Sequence, residues 1–175
     1  MAGGPSPDLR VTSLSDRHDR ALFTCGVDTL DRYLRAQAGQ DARRRANAVF
    51  VLNSLDEPSR VLGYYTLAAT ALPPGEVPEM ARKDVPRYPL VSATLIGRLA
   101  VATDCQGRRL GALLLGDALR RAYASSGTVG SSAVVVDALD DRAASFYGAH
   151  GFLRLPDTMR LLLPMRSVAK LFPAS

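Results

Sequence analysis

The sequence predicts an α/β (α+β) fold, because apolar runs of strand length alternate with segments that carry one apolar helical face. The expected order is strand, helix, three strands with an insert, glycine turn, helix, strand, helix and two strands. With 175 residues, 47% hydrophobic and 22% charged, the chain can bury a core of its own. We expect one domain over residues 9–165, between a disordered lead at 1–8 and a C-terminal tail at 166–175.

Charge and cysteine content narrow the class of protein. The formal net charge of +5 fits a polyanionic partner, and equally an arginine-rich proteome. No apolar run approaches the roughly 20 residues of a membrane span, and the N-terminus has no signal-peptide pattern. Cys25 and Cys105 form no CxxC pair, which predicts a cytoplasmic protein. The two histidines, His18 and His150, argue against a zinc site.

The first half of the chain predicts a strand at 9–14, a helix, and a hairpin of strands at 48–52 and 60–68. The helix is expected to start at Asp28, as its N-cap, and to continue to Arg45. Its apolar stripe comprises Leu30, Tyr33, Leu34 and Ala38. Arg43, Arg44 and Arg45 suit a helix C-terminus, where the dipole favours cations, or a patch that contacts phosphate.

Pro74, Pro78, Pro86 and Pro89 bracket a short helical piece at 79–83 in an irregular insert from Glu76 to Leu90. Such a segment is of the kind that covers a substrate site. After the central stretch, 131–138 reads as a buried strand, because it is apolar on both faces. The last elements are a helix capped by Asp140 or Asp141 and ended by Gly151, and two strands at 152–155 and 159–165.

The central stretch is an apolar strand at 95–102, a polar turn containing Gly107 and Gly111, and a helix with apolar residues at 110, 113, 114, 118 and 122. A glycine turn that leads into a helix presents unpaired backbone N–H groups to an anion. The nucleotide P-loop is excluded, since Ala112-Leu113 follows the last glycine, and so is the three-glycine dinucleotide fingerprint. An ordinary strand–helix turn remains the alternative.

Two motifs of this region resemble those of the GNAT acetyltransferases. Residues 106–111, Gln-Gly-Arg-Arg-Leu-Gly, are similar to the acyl-CoA pyrophosphate loop Gln/Arg-x-x-Gly-x-Gly/Ala, although Arg109 replaces its middle glycine. If that position needs a positive φ, Arg109 costs roughly 1 kcal/mol relative to glycine. Residues 143–152 match Ala-x-x-Phe-Tyr-x-x-x-Gly-Phe, with Tyr147 as the tyrosine. The resemblance implies the GNAT fold, a mixed sheet of six to seven strands splayed in the middle, with helices on both faces.

Three further stretches resemble the toxin branch of the family, the N-acetyltransferase toxins of type II toxin–antitoxin systems. They are Gly63-Tyr64-Tyr65-Thr66-Leu67, Arg98-Leu99-Ala100-Val101, and Phe23-x-Cys25-Gly26-x-x-x-Leu30-Asp31-x-x-Leu34. The resemblance covers Val11 to Leu163. It implies transfer of acetyl from acetyl-CoA to the α-amine of aminoacyl-tRNA, which inhibits translation. It also implies a ribbon-helix-helix antitoxin and a homodimer.

The resemblance places acetyl-CoA in the gap between the strands 99–102 and 134–138. Tyr147 is expected to protonate the departing thiolate; its alternative role is that of a core aromatic. Backbone N–H groups from Arg108 to Ala112 are expected to hold the pyrophosphate, and one near Val101 to polarise the thioester. The expected cofactor residues are Leu99, Ala100, Val101, Gln106, Gly107, Arg108, Arg109, Leu110, Gly111, Ala112, Ala138, Ala143 and Phe146.

No residue stands out as a general base. An α-amine of pKa 7.7–8.0 is roughly 10–15% neutral at pH 7, whereas a lysine is about 0.04% neutral, so the absence of a base favours an α-amine acceptor. Phosphate contacts should dominate tRNA binding. The candidates are Arg43, Arg44, Arg45, Arg82, Lys83, Arg87 and Arg98. Arg98 is expected at the acceptor end, or alternatively in a structural ion pair.

Two other functions fit the same residues. One is a GNAT enzyme that acetylates a small-molecule amine or a protein N-terminus, for which an acidic substrate pocket would be expected. The other is a catalytically inactive GNAT module with a binding or regulatory role, which the replacement of a motif glycine by Arg109 keeps open. Turnover that depends on Tyr147 would exclude the inactive module.

Overall fold

The computed structural model describes residues 8–173, and its seven strands follow the order β1-β2-β3-β4-β5-β7-β6 in one mixed sheet. The predicted fold class and strand number are therefore confirmed. The strands are β1 (Leu9–Ser13), β2 (Ala48–Ser54), β3 (Gly63–Leu72), β4 (Val91–Val101), β5 (Ala133–Asp137), β6 (Leu153–Arg154) and β7 (Arg160–Pro164). The helices are α1 (Asp28–Arg32), α2 (Ala38–Arg44), α3 (Leu110–Ser126), α4 (Asp141–Ala149) and α5 (Met165–Ala169).

The chain divides into two compact units. The first comprises the described residues up to Thr66 together with Arg98–Asp117, and the second comprises Leu67–Gly97 with the described residues from Ala118 onwards. Of the expected lead, residues 1–7 lie outside the described residues, as do Ala174 and Ser175 of the tail; the tail begins within α5. None of the described helices is both long and apolar enough to cross a lipid bilayer.

In the first unit, β1 pairs antiparallel with β2, from Leu9 opposite Ser54 to Ser13 opposite Phe50. At Gly63 the backbone of β3 passes so close to β4 that a Cβ atom would lie 2.8 Å from the carbonyl oxygen of Ala100. Side chains with no exposed surface form the core of this unit. They include Leu34, Ala38, Val51, Leu52, Tyr64, Tyr65 and Leu114.

The first helical region differs from the single capped helix that the sequence predicts. The N-cap residue is Val27, and Asp28 lies inside the helix, so the prediction of Asp28 as N-cap is wrong. The buried carboxylate of Asp31 instead accepts hydrogen bonds from the segment before the helix, from Cys25 N at 2.8 Å and Thr24 Oγ1 at 3.1 Å. A π-helical turn at Tyr33–Gln37 separates α1 from α2.

In the second unit, β4 pairs parallel with β5 from Thr94 opposite Val134 to Ile96 opposite Val136. β5 also pairs antiparallel with β7, and β6 with β7, which gives the predicted final hairpin. Val134, Val135 and Val136 have no exposed surface, as predicted for a strand covered on both faces. Asp140 caps α4 by accepting from Ala143 N at 2.8 Å.

The predicted bounds of β3 and β4 and the predicted buried face of α3 are wrong. β3 starts at Gly63 rather than at position 60, because the backbone N–H of Arg60 bonds to Glu57 in a turn, and it extends to Leu72, where Pro73 stops it. β4 starts at Val91 and ends at Val101, one residue before the predicted end. On α3, Leu113 is 40% exposed, and Leu115 and Leu119 take its place in the buried stripe.

Candidate active site

The predicted pyrophosphate loop lies between a 3₁₀ turn at Thr103–Cys105 and the first residue of α3, Leu110. Because no turn of α-helix precedes Leu110, the first N–H groups of α3 have no acceptor within the helix. Within the described part of the chain, no hydrogen bond is found from the backbone N–H groups of Gly107, Arg108 or Arg109. These amides, at the N-terminus of a 17-residue helix, suit an anion, and the side chains of Arg108 and Arg109 are exposed beside them.

The side chain of Gln106 fixes the start of this loop. Its Nε2 donates to the carbonyl oxygens of Cys25 and Val101, each at 3.0 Å. The amide group is therefore bonded within the protein, so the contribution of Gln106 to a cofactor site is to hold the loop against the end of β4. The backbone N–H of Thr103 supports the same junction by donating to Thr24 O at 2.9 Å.

Arg109 has the left-handed backbone conformation, with φ at 61°. The motif position that Arg109 fills thus has a positive φ in this chain, and the arginine costs about 1 kcal/mol there relative to glycine. Gly107, two residues earlier, also has a positive φ, of 83°. The arginine also places a cationic side chain next to the free amides.

Tyr147, the predicted acid, lies on α4 and is 7% exposed. Its ring contacts those of Phe146 and Phe152 edge-on, with centroid distances of 5.1 and 5.6 Å. Burial raises the pKa of Tyr147 to about 12. No hydrogen bond of its hydroxyl to another described residue is found. The phenol is thus kept protonated and its hydroxyl is available to a ligand.

Arg98, on β4, does not form the structural ion pair that was its alternative role with any described residue. Its guanidinium lies over the ring of Tyr33, 3.5 Å from the ring centroid. The Tyr33 hydroxyl donates to Asp41 Oδ2 at 2.8 Å. Burial, and then the bond to Asp41, raise the pKa of Tyr33 to about 12.

The remaining predicted cofactor residues differ in how far they are buried. Ala100 is buried, and Leu99 and Val101 are half-buried. The N–H of Ala138 is bonded to Met159 O at 2.8 Å, so it is not available to a ligand. Leu110 is buried. Four residues are half-buried and keep surface that a ligand could contact: Gly111, Ala112, Ala143 and Phe146.

The predicted phosphate-binding arginines occupy two exposed regions. Arg43 and Arg44 form the last turn of α2, and Arg45 follows with a left-handed φ of 59° that ends the helix. In the second unit, the insert contains a hollow of about 730 Å³. Its lining includes Arg82, Lys83, Arg87 and Tyr88.

Two features of the loop were not predicted from the sequence. The first is the ion pair between Arg60 and Asp104, which holds the 3₁₀ turn before the loop and lowers the pKa of the Asp104 carboxyl. The second is the contact of this turn with the Thr24–Gly26 segment. No local pattern marks either feature, because the partners are distant in sequence.

Solved structures of similar fold include the toxin AtaT and the protein KacT. AtaT complexed with acetyl-methionyl-tRNAfMet matches with a TM-score of 0.85 and 28% identity, covering 95% of this chain and 100% of that one. A KacT mutant with one tyrosine replaced by phenylalanine matches with a TM-score of 0.87 and 28% identity, over 94% and 99%. An AtaT mutant of the same kind, bound to the C-terminus of its antitoxin AtaR and to acetyl-CoA, matches with a TM-score of 0.80 and 26% identity, over 95% and 99%.

These likenesses define the chain as an acetyltransferase of the GNAT fold. No family model matches the chain. The tRNA-acetylating toxin of Mycobacterium tuberculosis H37Rv is 34% identical over 159 residues, which cover 90% of this chain and 93% of the relative. The chain belongs to the family of GNAT-type tRNA-acetylating toxins of toxin–antitoxin systems. The predicted family is thereby confirmed.

Proposed function

We propose that this chain transfers an acetyl group to the α-amine of an aminoacyl-tRNA and thereby inhibits translation in the cytoplasm. The observation that carries the proposal is the 34% identity with a tRNA-acetylating toxin over 90% of the chain. The complex of the similar AtaT with acetyl-methionyl-tRNAfMet supports the substrate class. Acetylation turns the α-amine into an amide, whose nitrogen lone pair is delocalised into the carbonyl and no longer attacks to form a peptide bond.

Acetyl-CoA, when bound, supplies the acetyl group as a thioester. The free amides of 107–109 and the first turn of α3 would hold its diphosphate, and Arg108 and Arg109 would add charge. Tyr147 would hold a proton at its hydroxyl for the leaving sulfur, while the amine nitrogen forms the new C–N bond and the C–S bond breaks. The attacking amine must be neutral. An α-amine is partly neutral near pH 7, so its proton can pass to water and no strong base is needed.

The exposed arginines would bind tRNA through its phosphates. Arg43, Arg44 and Arg45 form one group, and Arg87 lies in the insert. Arg98 would contact the acceptor end. A ribbon-helix-helix antitoxin and a homodimer complete the proposal; an antitoxin is bound by the similar AtaT.

Acetyl transfer by the purified chain tests the proposal. Charged tRNA, a polyamine and a peptide with a free N-terminus are each offered with acetyl-CoA. We expect transfer to charged tRNA at a rate far above the other two. Transfer to the polyamine or the peptide alone would contradict the proposal and favour an ordinary GNAT enzyme.

A further inference from the structure

The guanidinium of Arg98 lies flat on the ring of Tyr33 while its N–H groups remain unused within the described residues. The distance from the guanidinium carbon to the ring centroid is 3.5 Å, and Arg98 is half-buried. Stacking fixes the plane of a guanidinium but consumes none of its five donors. The N–H groups of a half-buried arginine held in this way can donate hydrogen bonds to an anion in the plane of the guanidinium.

Tyr33 is itself held from several sides. Its hydroxyl donates to Asp41, and its ring stacks on Tyr64 with a centroid distance of 6.4 Å and an interplanar angle of 17°. Tyr64 is fully buried, donates to Leu30 O at 2.7 Å and meets Phe23 edge-on. The ring under Arg98 therefore has one defined orientation.

Asp41 is the polar anchor of this arrangement. Its two carboxylate oxygens also accept from Gln37 Nε2 at 2.9 Å and Asn47 Nδ2 at 3.0 Å. The bond from Gln37, followed by that from Tyr33, lowers the pKa of Asp41, so the carboxylate stays ionised at neutral pH. Tyr33, Gln37 and Asp41 are four residues apart and lie on one side of the helical segment, where their side chains meet.

We propose that Tyr33 and Asp41 are positioning residues for Arg98, and that they present its N–H edge to a phosphodiester of the bound RNA. The inference rests on the proposed function, because it assigns a supporting structure to the arginine expected at the acceptor end of tRNA. An ionised Asp41 fixes the hydroxyl of Tyr33, the ring of Tyr33 fixes the plane of Arg98, and Arg98 meets the phosphate.

The test compares Arg98→Ala, Tyr33→Leu, Asp41→Asn and the double variant of Tyr33 and Arg98. Steady-state acetyl transfer to charged tRNA is measured at saturating acetyl-CoA, and tRNA binding is measured at several salt concentrations. We expect Tyr33→Leu to raise KM for charged tRNA about three- to tenfold with kcat within about twofold. Arg98→Ala should reduce the slope of log K against log salt by about 0.7–0.9, the share of one phosphate contact.

The double variant should be no worse than Arg98→Ala alone, because the ring acts through the arginine. Tyr65→Phe is the matched control: Tyr65 is also buried and donates to a carboxylate, Asp117, at 2.6 Å. We expect this control to keep the KM and the salt slope of the unchanged chain. Asp41→Asn should raise KM less than Tyr33→Leu does.

Additive effects in the double variant, or a salt slope unaltered by Tyr33→Leu and Arg98→Ala, would overturn the positioning role even if the unchanged chain acetylates tRNA. A KM rise for acetyl-CoA in Arg98→Ala, with tRNA binding unaltered, would assign the arginine to the cofactor instead and also overturn it. Failure of the unchanged chain to acetylate any charged tRNA is a separate result, which refutes the proposed function.

Discussion

Tyr33 and Tyr147 are two buried tyrosines with the same raised pKa, of about 12, and different surroundings. The Tyr33 hydroxyl donates to Asp41, and its ring lies under a cation. The Tyr147 hydroxyl has no hydrogen-bond partner among the described residues, and its ring is surrounded by Phe146 and Phe152. Burial is the largest cause of the higher pKa in both cases.

The difference shows that a shifted pKa alone does not identify a catalytic group. Burial keeps both phenols protonated, but only an uncommitted hydroxyl can give its proton to a reacting atom. A hydroxyl already bonded to a carboxylate serves the structure of the protein or the orientation of its neighbours.

The largest effect is expected from Tyr147→Phe. Loss of a general acid lowers kcat by about 100-fold or more, while the affinity for acetyl-CoA stays close to that of the unchanged chain. Single-turnover acetyl transfer and calorimetric binding of acetyl-CoA measure the two quantities. Tyr33→Phe is the control, with kcat within about twofold; equal kcat values for Tyr147→Phe and the unchanged chain would remove Tyr147 as the acid.

The pH dependence provides the second test. With a pKa of about 12, Tyr147 keeps its proton throughout the working range, so it adds no falling limb to the rate profile below about pH 10. The α-amine of the acceptor must be neutral, so kcat/KM for charged tRNA should rise up to about tenfold per pH unit and level off above its pKa of 7.7–8.0. A profile measured from pH 6 to 9 that falls above pH 8 would contradict this assignment.

The free energy of unfolding should depend on Tyr33 more than on Tyr147, the reverse of the order expected for kcat. Tyr33→Phe removes a hydrogen bond to an ionised carboxylate and should lower the free energy of unfolding by about 1 kcal/mol. Tyr147→Phe removes no bond within the described residues and should change it by less than about 0.5 kcal/mol. Urea unfolding of both variants in the absence of ligand measures the difference, and an equal loss in both would end the distinction.

The smallest effect is expected at the loop. Arg109→Gly relieves the left-handed backbone and should raise the free energy of unfolding by up to about 1 kcal/mol, while the loss of charge weakens acetyl-CoA binding. Arg109→Ala is the matched control, since it loses the same charge but keeps the strain. Equal unfolding free energies for the two variants would show that position 109 is not strained.

The sequence predicted the parts of the molecule whose causes are local. The buried strand of Val134, Val135 and Val136 follows from its apolar residues, and the cap at Asp140 from its place before a helix. The motif has glycine at position 109, so the sequence raised a positive φ at Arg109 as one of two possibilities, and the structure has it.

The features that were not predicted depend on distant partners. The bond of Gln106 Nε2 to Cys25 and the stacking of Arg98 on Tyr33 join residues far apart in sequence. Asp28 has the residue type of an N-cap, but the buried carboxylate three residues later makes the bonds to the preceding segment. The π-helical turn at Tyr33–Gln37 likewise leaves no mark in the apolar spacing.

The most direct test of the proposed function is the position of the transferred acetyl group. The purified chain is given labelled acetyl-CoA with charged or deacylated tRNA, and the aminoacyl group is then released by mild alkali and analysed by mass spectrometry. The account predicts label on the α-nitrogen of the amino acid with charged tRNA, and none with deacylated tRNA. Label on the nucleic acid itself, or no label on any amino acid, would contradict it.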